Sequence, residues 1–509
     1  MMTPISALRR QAESNPEGTA FIFADEIWTY ARLAVEADRC ARAMRARGVR
    51  PGDRVAFHMA NLPELVVAYY ACFRLGAVAA PLNARFKAAE IEPLLARLRP
   101  VLYLGQAQLY PQVAEIGPEI LPLEARYVIG DTDQPARPWA KLFDGADAVT
   151  LPDAPDPDGL AFLLTTSGTT GVPKFVAYTP RRMGAAIEAC RRIGFEVEQV
   201  VVNSLPMMHG AGVITMLCCV RFGHPMILLE RFEADAVLEA IEIYQCSWML
   251  GLPFMFAELA RAQRMRPRQV MSLRLCLSCG DACPVQLQEE FAALFGADLL
   301  ALWGSTEIIG SLIHGLRIGP VSRLAPDAQF RLVDEDGAPV AAGEIGELLV
   351  RGPNMSAGYW KGPGAIDPLA PDGWYHTGDL MRRGEDDEIW FVARKKDLIV
   401  RGGSNISPIE VERVLMAHPA VQDAAVVGIP DPVLGQRVAG VVRLKGRPTR
   451  GILDDILGRA RSLLADYKVP ERLTMVGDIP RNAMGKVDRK GLVTMLSAEA
   501  RAEAVAAPL

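Results

Sequence analysis

Leu160 to Phe175 reads LAFLLTTSGTTGVPKF, a set of residue types suited to holding a polyanion. An apolar run, LAFLL, feeds a loop of hydroxyls and glycines that ends at Pro173-Lys174. Glycine lets the backbone come close to a charged ligand and present its N–H groups. Thr165, Thr166, Ser167, Thr169 and Thr170 add hydroxyl donors, Gly168 and Gly171 supply backbone freedom, and Lys174 adds positive charge. Polyphosphate is the natural ligand. The loop is not the Walker pattern, in which Gly-Lys-Ser/Thr opens a helix; here Lys174 follows Pro173 and precedes Phe175. A polar surface turn is the plainer alternative, but so dense a run of hydroxyls after an apolar strand is unusual for one.

Other chemically suggestive residues carry less by themselves. Cys276, Cys279 and Cys283 lie close together in CLSCGDAC. A CxxC is a metal or redox signature only with partners, and the sequence holds no second CxxC and no HxxxH. The nine cysteines are odd in number and sit mostly in apolar runs such as MLCCV, which fits buried thiols in a reducing compartment. His209, in LPMMHGAG, lies between an apolar strand and an apolar helix and reads in isolation as a packed core histidine. No GxSxG elbow accompanies it, so it is not a triad histidine. An isolated Asp after Gly is usually a turn residue, and a lysine after Gly is usually on the surface.

The elements that must position these residues are legible in outline. At 509 residues the chain is too long for one ordinary domain. Half of it is hydrophobic, ample for large cores. Strand-like runs (RVAFHMA, AVAAPL, VVNSLPM, MILLE, WMLGLP, LRLCLSCG) alternate with amphipathic stretches, which predicts α/β layering with largely parallel sheets. LPDAPDPDG, from Leu151 to Gly159, reads as an exposed connector between two α/β subdomains. From about Phe330, short β segments separated by turn residues predict a small β-rich unit. A boundary follows near Ala393 to Glu410, where Ser407 as N-cap, Pro408 as first helical residue and Glu410 as capping-box partner announce a helix. The expected fold is therefore α/β: a large N-terminal domain (1–395) of layered α/β subdomains plus the β-rich unit, then a small α/β C-terminal domain (396–509) ending in a frayed helix.

The net charge of −5 argues against a dedicated nucleic-acid binder. Arg39, Arg42, Arg45, Arg47, Arg50 and Arg54 fit the solvated face of a helix ending at Gly48. The N-terminus lacks the apolar region of a signal peptide. The longest apolar stretch, Leu65 to Leu82, is broken by Arg74 and Gly76 and reads as a buried helix running into a strand, not a membrane span. A cytoplasmic protein without membrane insertion is expected; the oligomeric state stays open.

TTSGTTGVPK resembles the signature loop of the adenylate-forming superfamily: acyl-CoA synthetases, luciferases and peptide-synthetase adenylation domains. Further motifs of that family follow in order over nearly the whole chain. They are LPMMHGAG (Leu205 to Gly212), ALWGSTE (Ala301 to Glu307), GELLVRGPNMSAGYW (Gly346 to Trp360), GWYHTGDL (Gly373 to Leu380), ARKKDLIVRGGSNISPIEVE and PRNAMGKVDR (Pro480 to Arg489). Phe175 follows Lys174, and Ala393 precedes Arg394, where the family usually has glycine; neither change removes a functional side chain.

The resemblance implies an enzyme that activates a carboxylic acid with ATP and Mg²⁺ and passes the acyl group to coenzyme A. The loop from Thr165 to Lys174 is then expected to hold the β- and γ-phosphates. Trp303 and the Gly280-Asp281 turn are expected at the adenine, Thr306 at phosphate, Glu307 on Mg²⁺ as its metal ligand, and Asp379 and Arg394 at the ribose. Lys486 is the expected catalytic lysine, carried by a mobile C-terminal domain to the α-phosphate and the acid, where it offsets repulsion between two anions. Lys396 is the expected pivot. Rotation about it would bring Gly402-Gly403 to the site for thioester formation. His209 becomes a gate near the acyl pocket.

The acyl pocket is expected among Met207, Met208, Val213, Ile214, Trp248, Met249, Leu250, Ile308 and Ile309. All are apolar, which favours an aliphatic or aromatic monocarboxylic acid, and each Met could equally be ordinary core. RGGSNISPIEVE resembles the acyl-CoA synthetase style, so coenzyme A is favoured over the alternative of a carrier protein. PRNAMGK resembles the site at which bacterial acetyltransferases modify such enzymes, so a protein acetyltransferase acting on Lys486 is an expected partner.

Overall fold

The computed structural model describes residues 2–151, 155–166, 173–315, 317–319, 321–324, 329–384, 388–402, 404–431, 433–482 and 485–506. Among these residues the chain forms three sheets.

One sheet of nine strands has Phe162–Thr166, Val78–Pro81, Arg54–His58 and Leu102–Gln106 at its centre, paired in parallel. Strand periodicity sorts its side chains between two cores. From Phe162–Thr166 and Lys174–Tyr178, the side chains of Phe162, Leu164, Val176 and Tyr178 enter the large central core. Leu163, Phe175 and Ala177 face the opposite way, onto a smaller core with Ile91, Leu94, Leu95 and Leu98 of helix Ala88–Leu98.

A longer sheet of thirteen strands supplies the other wall. Its parallel half runs Asp298–Ser305, Leu275–Ser278, Trp248–Gly251, Val201–Asn203, Met226–Leu228 and Thr19–Phe23. Helices Pro63–Leu75 and Gly210–Phe222 contribute to the central core, which draws on both sheets. Every residue of Pro63–Leu75 except Glu64 is buried, as suits a helix that is apolar nearly all round. It starts at Pro63 and stops at Gly76, whose φ of +73° is a left-handed cap, and the chain then enters strand Val78–Pro81. Arg74, which interrupts this run, pairs with Asp38 at 3.1 Å. No helix among the described residues is long and apolar enough to cross a membrane. The nine cysteines are free and buried.

Three details differ from the sequence-based expectation. Leu151 to Gly159 does not separate two subdomains. It joins Arg137–Pro138 to Phe162–Thr166, which belong to the same nine-stranded sheet, because parallel pairing lets successive strands sit far apart in one sheet. The β-rich region has its own core of Leu332, Leu348, Val350, Met381 and Ile389, yet its antiparallel strands continue the thirteen-stranded sheet through Val321–Leu324. Its hairpin, Gly358–Gly362 with Ala365–Pro368, leaves to extend the nine-stranded sheet instead. Finally, the capping box at Ser407 is half formed. The Glu410 N–H donates to Ser407 Oγ at 3.4 Å, but the Glu410 carboxylate is taken by Lys468 Nζ at 2.8 and 2.9 Å. A charge-assisted pair outcompetes the neutral backbone donor.

Strands Val421–Asp431 and Gly435–Leu444 form the spine of the third sheet. Val426, Val438 and Val442 face helices Pro408–Met416 and Ile452–Leu463, while Ala425, Val427 and Val441 face Leu492 and Leu496 of helix Arg489–Ala506.

Candidate active site

Strands Phe162–Thr166 and Lys174–Tyr178 pair antiparallel from Phe162↔Tyr178 to Thr166↔Lys174 and so frame the hydroxyl-rich loop. Ser167, Gly168, Thr169, Thr170 and Gly171 lie outside the described residues, as does Gly403. Thr165 is buried and Thr166 half-buried at one rim. At the other rim Lys174 Nζ rests 4.5 Å from the ring centroid of Tyr359. The Tyr359 hydroxyl donates to Glu307 Oε1 at 2.9 Å. Tyr178 fixes the neighbouring turn: its hydroxyl donates to Thr306 O at 3.0 Å and accepts from Ile309 N–H at 2.9 Å. A second backbone tie, Ser356 N–H to Glu307 O at 2.8 Å, fixes Glu307.

A second group gathers around Asp379, which is 3% exposed. Asp379 and Arg394 are register partners on Tyr375–Arg383 and Ile389–Arg394. Trp303 Nε1 donates to Asp379 Oδ2 at 2.7 Å. Arg394 Nε stands 3.1 Å from Oδ1, but not in a hydrogen-bonding alignment, so Oδ1 is buried without a donor. Burial raises the Asp379 pKa, opposed by Arg394, the Trp303 hydrogen bond and Lys486. Oδ1 is thus an acceptor waiting for a donor.

Lys486 reaches this group from the far end of the sequence. It sits on a turn closed by Asn482 N–H to Lys486 O at 2.8 Å and by Gly485 N–H to Asn482 O at 2.9 Å. Gly485, at φ +79°, presses on the large domain: a Cβ there would meet Phe254 Cε1 at 3.0 Å and Leu252 Cδ1 at 3.2 Å. A Cβ on Gly280, at φ +83°, would lie 3.8 Å from Lys486 Cε and only 2.6 Å from Leu252 Cδ2. Two glycines therefore allow the contact. Arg481 supports it, with its guanidinium carbon 5.4 Å from the Phe254 ring centroid and its Nη2 2.8 Å from Asp423 Oδ2. Burial lowers the Lys486 pKa, and Arg394 lowers it further against Asp281, Cys279 and Asp379. Asp281 itself is exposed and folds Oδ1 back to accept from Ala282 N–H at 2.9 Å.

His209 is the N-cap residue of Gly210–Phe222, and its Nδ1 is buried without a partner. Burial first, then the charges of Lys486 and Arg85, lower its pKa to about 4, so the ring is neutral near pH 7. A small apolar cavity is lined by the buried residues Tyr178, Met183, Ala186, Val213, Ile214, Leu217 and Ile309. Of the residues expected to form the acyl pocket, Val213, Ile214 and Ile309 line this cavity. Met207, Met208, Met249, Leu250 and Ile308 are buried but are not part of that lining. Trp248 turns toward another part of the core: Nε1 donates to Ile193 O at 2.8 Å and the ring packs on Phe195 at 4.8 Å. Gly402 N–H donates to Leu434 O at 2.8 Å, and Lys396 lies in the turn Lys395–Asp397, where the charges of Asp397, Arg394 and Asp379 act on it.

Sequence reasoning passed over Tyr178, Met183, Ala186, Leu217, Tyr359, Phe254 and Arg481. For Tyr359 a signal existed: strand pairing Tyr359↔Val176 puts it diagonally across from Lys174 on the same sheet face. That pairing is between distant segments and is not written in either one.

Residues 8–360 match the AMP-binding enzyme family, and residues 410–486 match the AMP-binding enzyme C-terminal domain. An indoleacetate–CoA ligase of Aromatoleum aromaticum is 31% identical over 504 residues, spanning 96% of this chain and 97% of its own. A medium-chain fatty-acid–CoA ligase of Escherichia coli is 33% identical over 483 residues, spanning 91% and 84%. The crystal structure of ATP-bound MatB from Rhodopseudomonas palustris has a TM-score of 0.86 at 26% identity, covering 97% of this chain and 99% of that one. With both family segments matched in order along one chain, and with the same architecture in a solved ATP complex, this protein belongs to the AMP-binding enzyme family.

Proposed function

We propose that this chain is an AMP-forming acyl-CoA synthetase acting on an apolar carboxylic acid. The observation that carries the reading is that Lys486 lies beside the Gly280 turn and within electrostatic range of Arg394 and Asp379, the latter held by Trp303. In the first half-reaction a carboxylate oxygen attacks the α-phosphorus of ATP and the bond to pyrophosphate breaks. Both reactants are anionic, and the Lys486 ammonium offsets their repulsion. Asp379 Oδ1, buried and lacking a donor, accepts from a ribose hydroxyl. Trp303 and the Gly280-Asp281 turn flank the adenine, and Arg394 lies on the ribose side. Thr165, Thr166, Thr306 and Lys174, with Ser167 to Gly171, surround the leaving phosphates.

Glu307 fits Mg²⁺. Its Oε1 is held by Tyr359, its Oε2 has no bond among the described residues, and carboxylate oxygen is a hard donor suited to that ion. When bound, the ion neutralises phosphate charge.

In the second half-reaction the thiol sulfur of coenzyme A attacks the acyl carbon, the bond to AMP breaks, and the thiol proton passes to solvent. We assign residues 1–395 and 396–509 to the two domains, with rotation about Lys396 withdrawing Lys486 and bringing in Gly402-Gly403. His209 gates the passage between the acyl site and the thiol. The small cavity offers no charged group and its phenol is engaged by backbone, which supports an aliphatic or aromatic monocarboxylic acid. The nine buried free thiols support a cytoplasmic location. Lys486 is half-buried against Gly280, so acetylation by a protein acetyltransferase requires the rotated arrangement. The test is release of AMP and pyrophosphate with a panel of acids, with and without coenzyme A. Sustained turnover is expected only with both an apolar acid and coenzyme A. Turnover only with a carrier protein, or none with any acid, would overturn the reading.

A further inference from the structure

Tyr359 touches both Lys174 and Glu307. Gly358–Gly362 pairs antiparallel with Lys174–Tyr178, Tyr359 opposite Val176 and Trp360 opposite Phe175. Phe175 and Trp360 meet edge to face at 5.7 Å within the smaller core, which anchors the two strands. On the opposite face the Tyr359 ring supports Lys174 Nζ at 4.5 Å from its centroid. Its hydroxyl donates to Glu307 Oε1 at 2.9 Å. Gly358 makes the entry to this strand possible, since a Cβ at its φ of +137° would sit 1.9 Å from Asp367 O.

We propose that Tyr359 is a positioning residue that locks the carboxylate of Glu307 and the ammonium of Lys174 in one geometry, directing Glu307 Oε2 at the divalent cation and Lys174 at the phosphates it accompanies. This rests on the reading of Glu307 as the Mg²⁺ ligand. The hydrogen bond removes rotational freedom from the carboxylate and occupies one oxygen. The ring face holds the lysine by its quadrupole without neutralising it, as a carboxylate partner would. One side chain thus performs two separable tasks.

Two variants of the full-length protein separate them. Tyr359→Phe keeps the ring and removes the hydrogen bond; Tyr359→Leu removes both. Glu307→Gln serves as the control for the cation site. Mn²⁺ binding in the presence of α,β-methylene-ATP is measured by electron paramagnetic resonance, and the affinity for the analogue by calorimetry. Melting curves verify that the variants are folded. Tyr359→Phe is expected to weaken Mn²⁺ about tenfold, the scale of one hydrogen bond to a charged group, with analogue affinity at saturating Mn²⁺ unchanged. Tyr359→Leu is expected to weaken the analogue about threefold as well. If Glu307→Gln weakens Mn²⁺ but Tyr359→Phe does not, the positioning role is overturned while Glu307 keeps its assignment. If Glu307→Gln leaves Mn²⁺ binding intact, both readings fall.

Discussion

On the proposed mechanism Lys486 supplies the charge that the first half-reaction needs, which predicts an asymmetric effect. Lys486→Ala is expected to slow adenylation by roughly 10²–10³-fold, the scale of a lost electrostatic stabiliser. Thioester formation from preformed acyl-adenylate is expected to change only a few-fold, and pyrophosphate exchange against single-turnover thioesterification measures the difference. His209 supplies a pH signature. Its pKa in the folded chain is about 4 because burial, then Lys486 and Arg85, disfavour the charged ring. The unfolded chain takes up a proton near the ordinary value of about 6.5. Stability attributable to this residue is therefore full above about pH 6.5 and is lost as pH falls toward 4, by at most about 3 kcal/mol. His209→Asn is expected to lose less stability than the parent over that window in denaturant titrations. At this scale the sequence named Lys174, Glu307, Asp379 and Lys486 through their motifs. It did not name Tyr178 or Tyr359, because an aromatic within a strand announces burial and not which hydroxyl partner it will meet.

Among elements, close backbone approach shapes one side of the small apolar cavity proposed to border the acyl site. Gly310 follows Ile309 at a φ of +92°, and a Cβ there would lie 2.6 Å from Ala186 O on helix Pro180–Ala189. Gly310→Ala is expected to cost about 2–4 kcal/mol, from the left-handed backbone and the clash. It is also expected to raise KM for the acid more than KM for ATP, since Ala186 and Ile309 both line the cavity while Asp379 and Lys486 do not. Chemical denaturation and steady-state kinetics check the two parts. The strands and helices themselves were legible from periodicity, as in the buried helix Pro63–Leu75 running into Val78–Pro81. Their partners were not. The Pro/Asp-rich segment looked like a boundary because exposure and composition are local, whereas membership of one sheet depends on pairing across dozens of residues. For Trp248, likewise, the strand could be read but not the Ile193 carbonyl that its indole meets.

For the whole molecule, the decisive contact is between distant parts of the chain: the turn carrying Lys486 seats on Leu252, Phe254 and Gly280. If this is one of two working arrangements, Lys396→Pro, which stiffens the turn Lys395–Asp397, is expected to leave adenylation near normal and to slow acyl-CoA formation about tenfold or more. Accumulation of acyl-AMP in quenched reactions measures this. Equal losses in both half-reactions would point away from a hinge. The sequence by itself determined the chemical inventory: hydroxyls and glycines around Lys174, carboxylates at Glu307 and Asp379, and a lysine after Gly485. It also determined the alternating elements that carry them, because side-chain type and local periodicity are properties of neighbouring residues. Only the tertiary structure decided which apolar side chains border the small cavity, that Tyr359 joins Lys174 to Glu307, and that Lys486 lies beside the Gly280 turn within range of the charges of Arg394 and Asp379. Those are contacts between remote segments, set by sheet register and domain packing, and no local pattern encodes them.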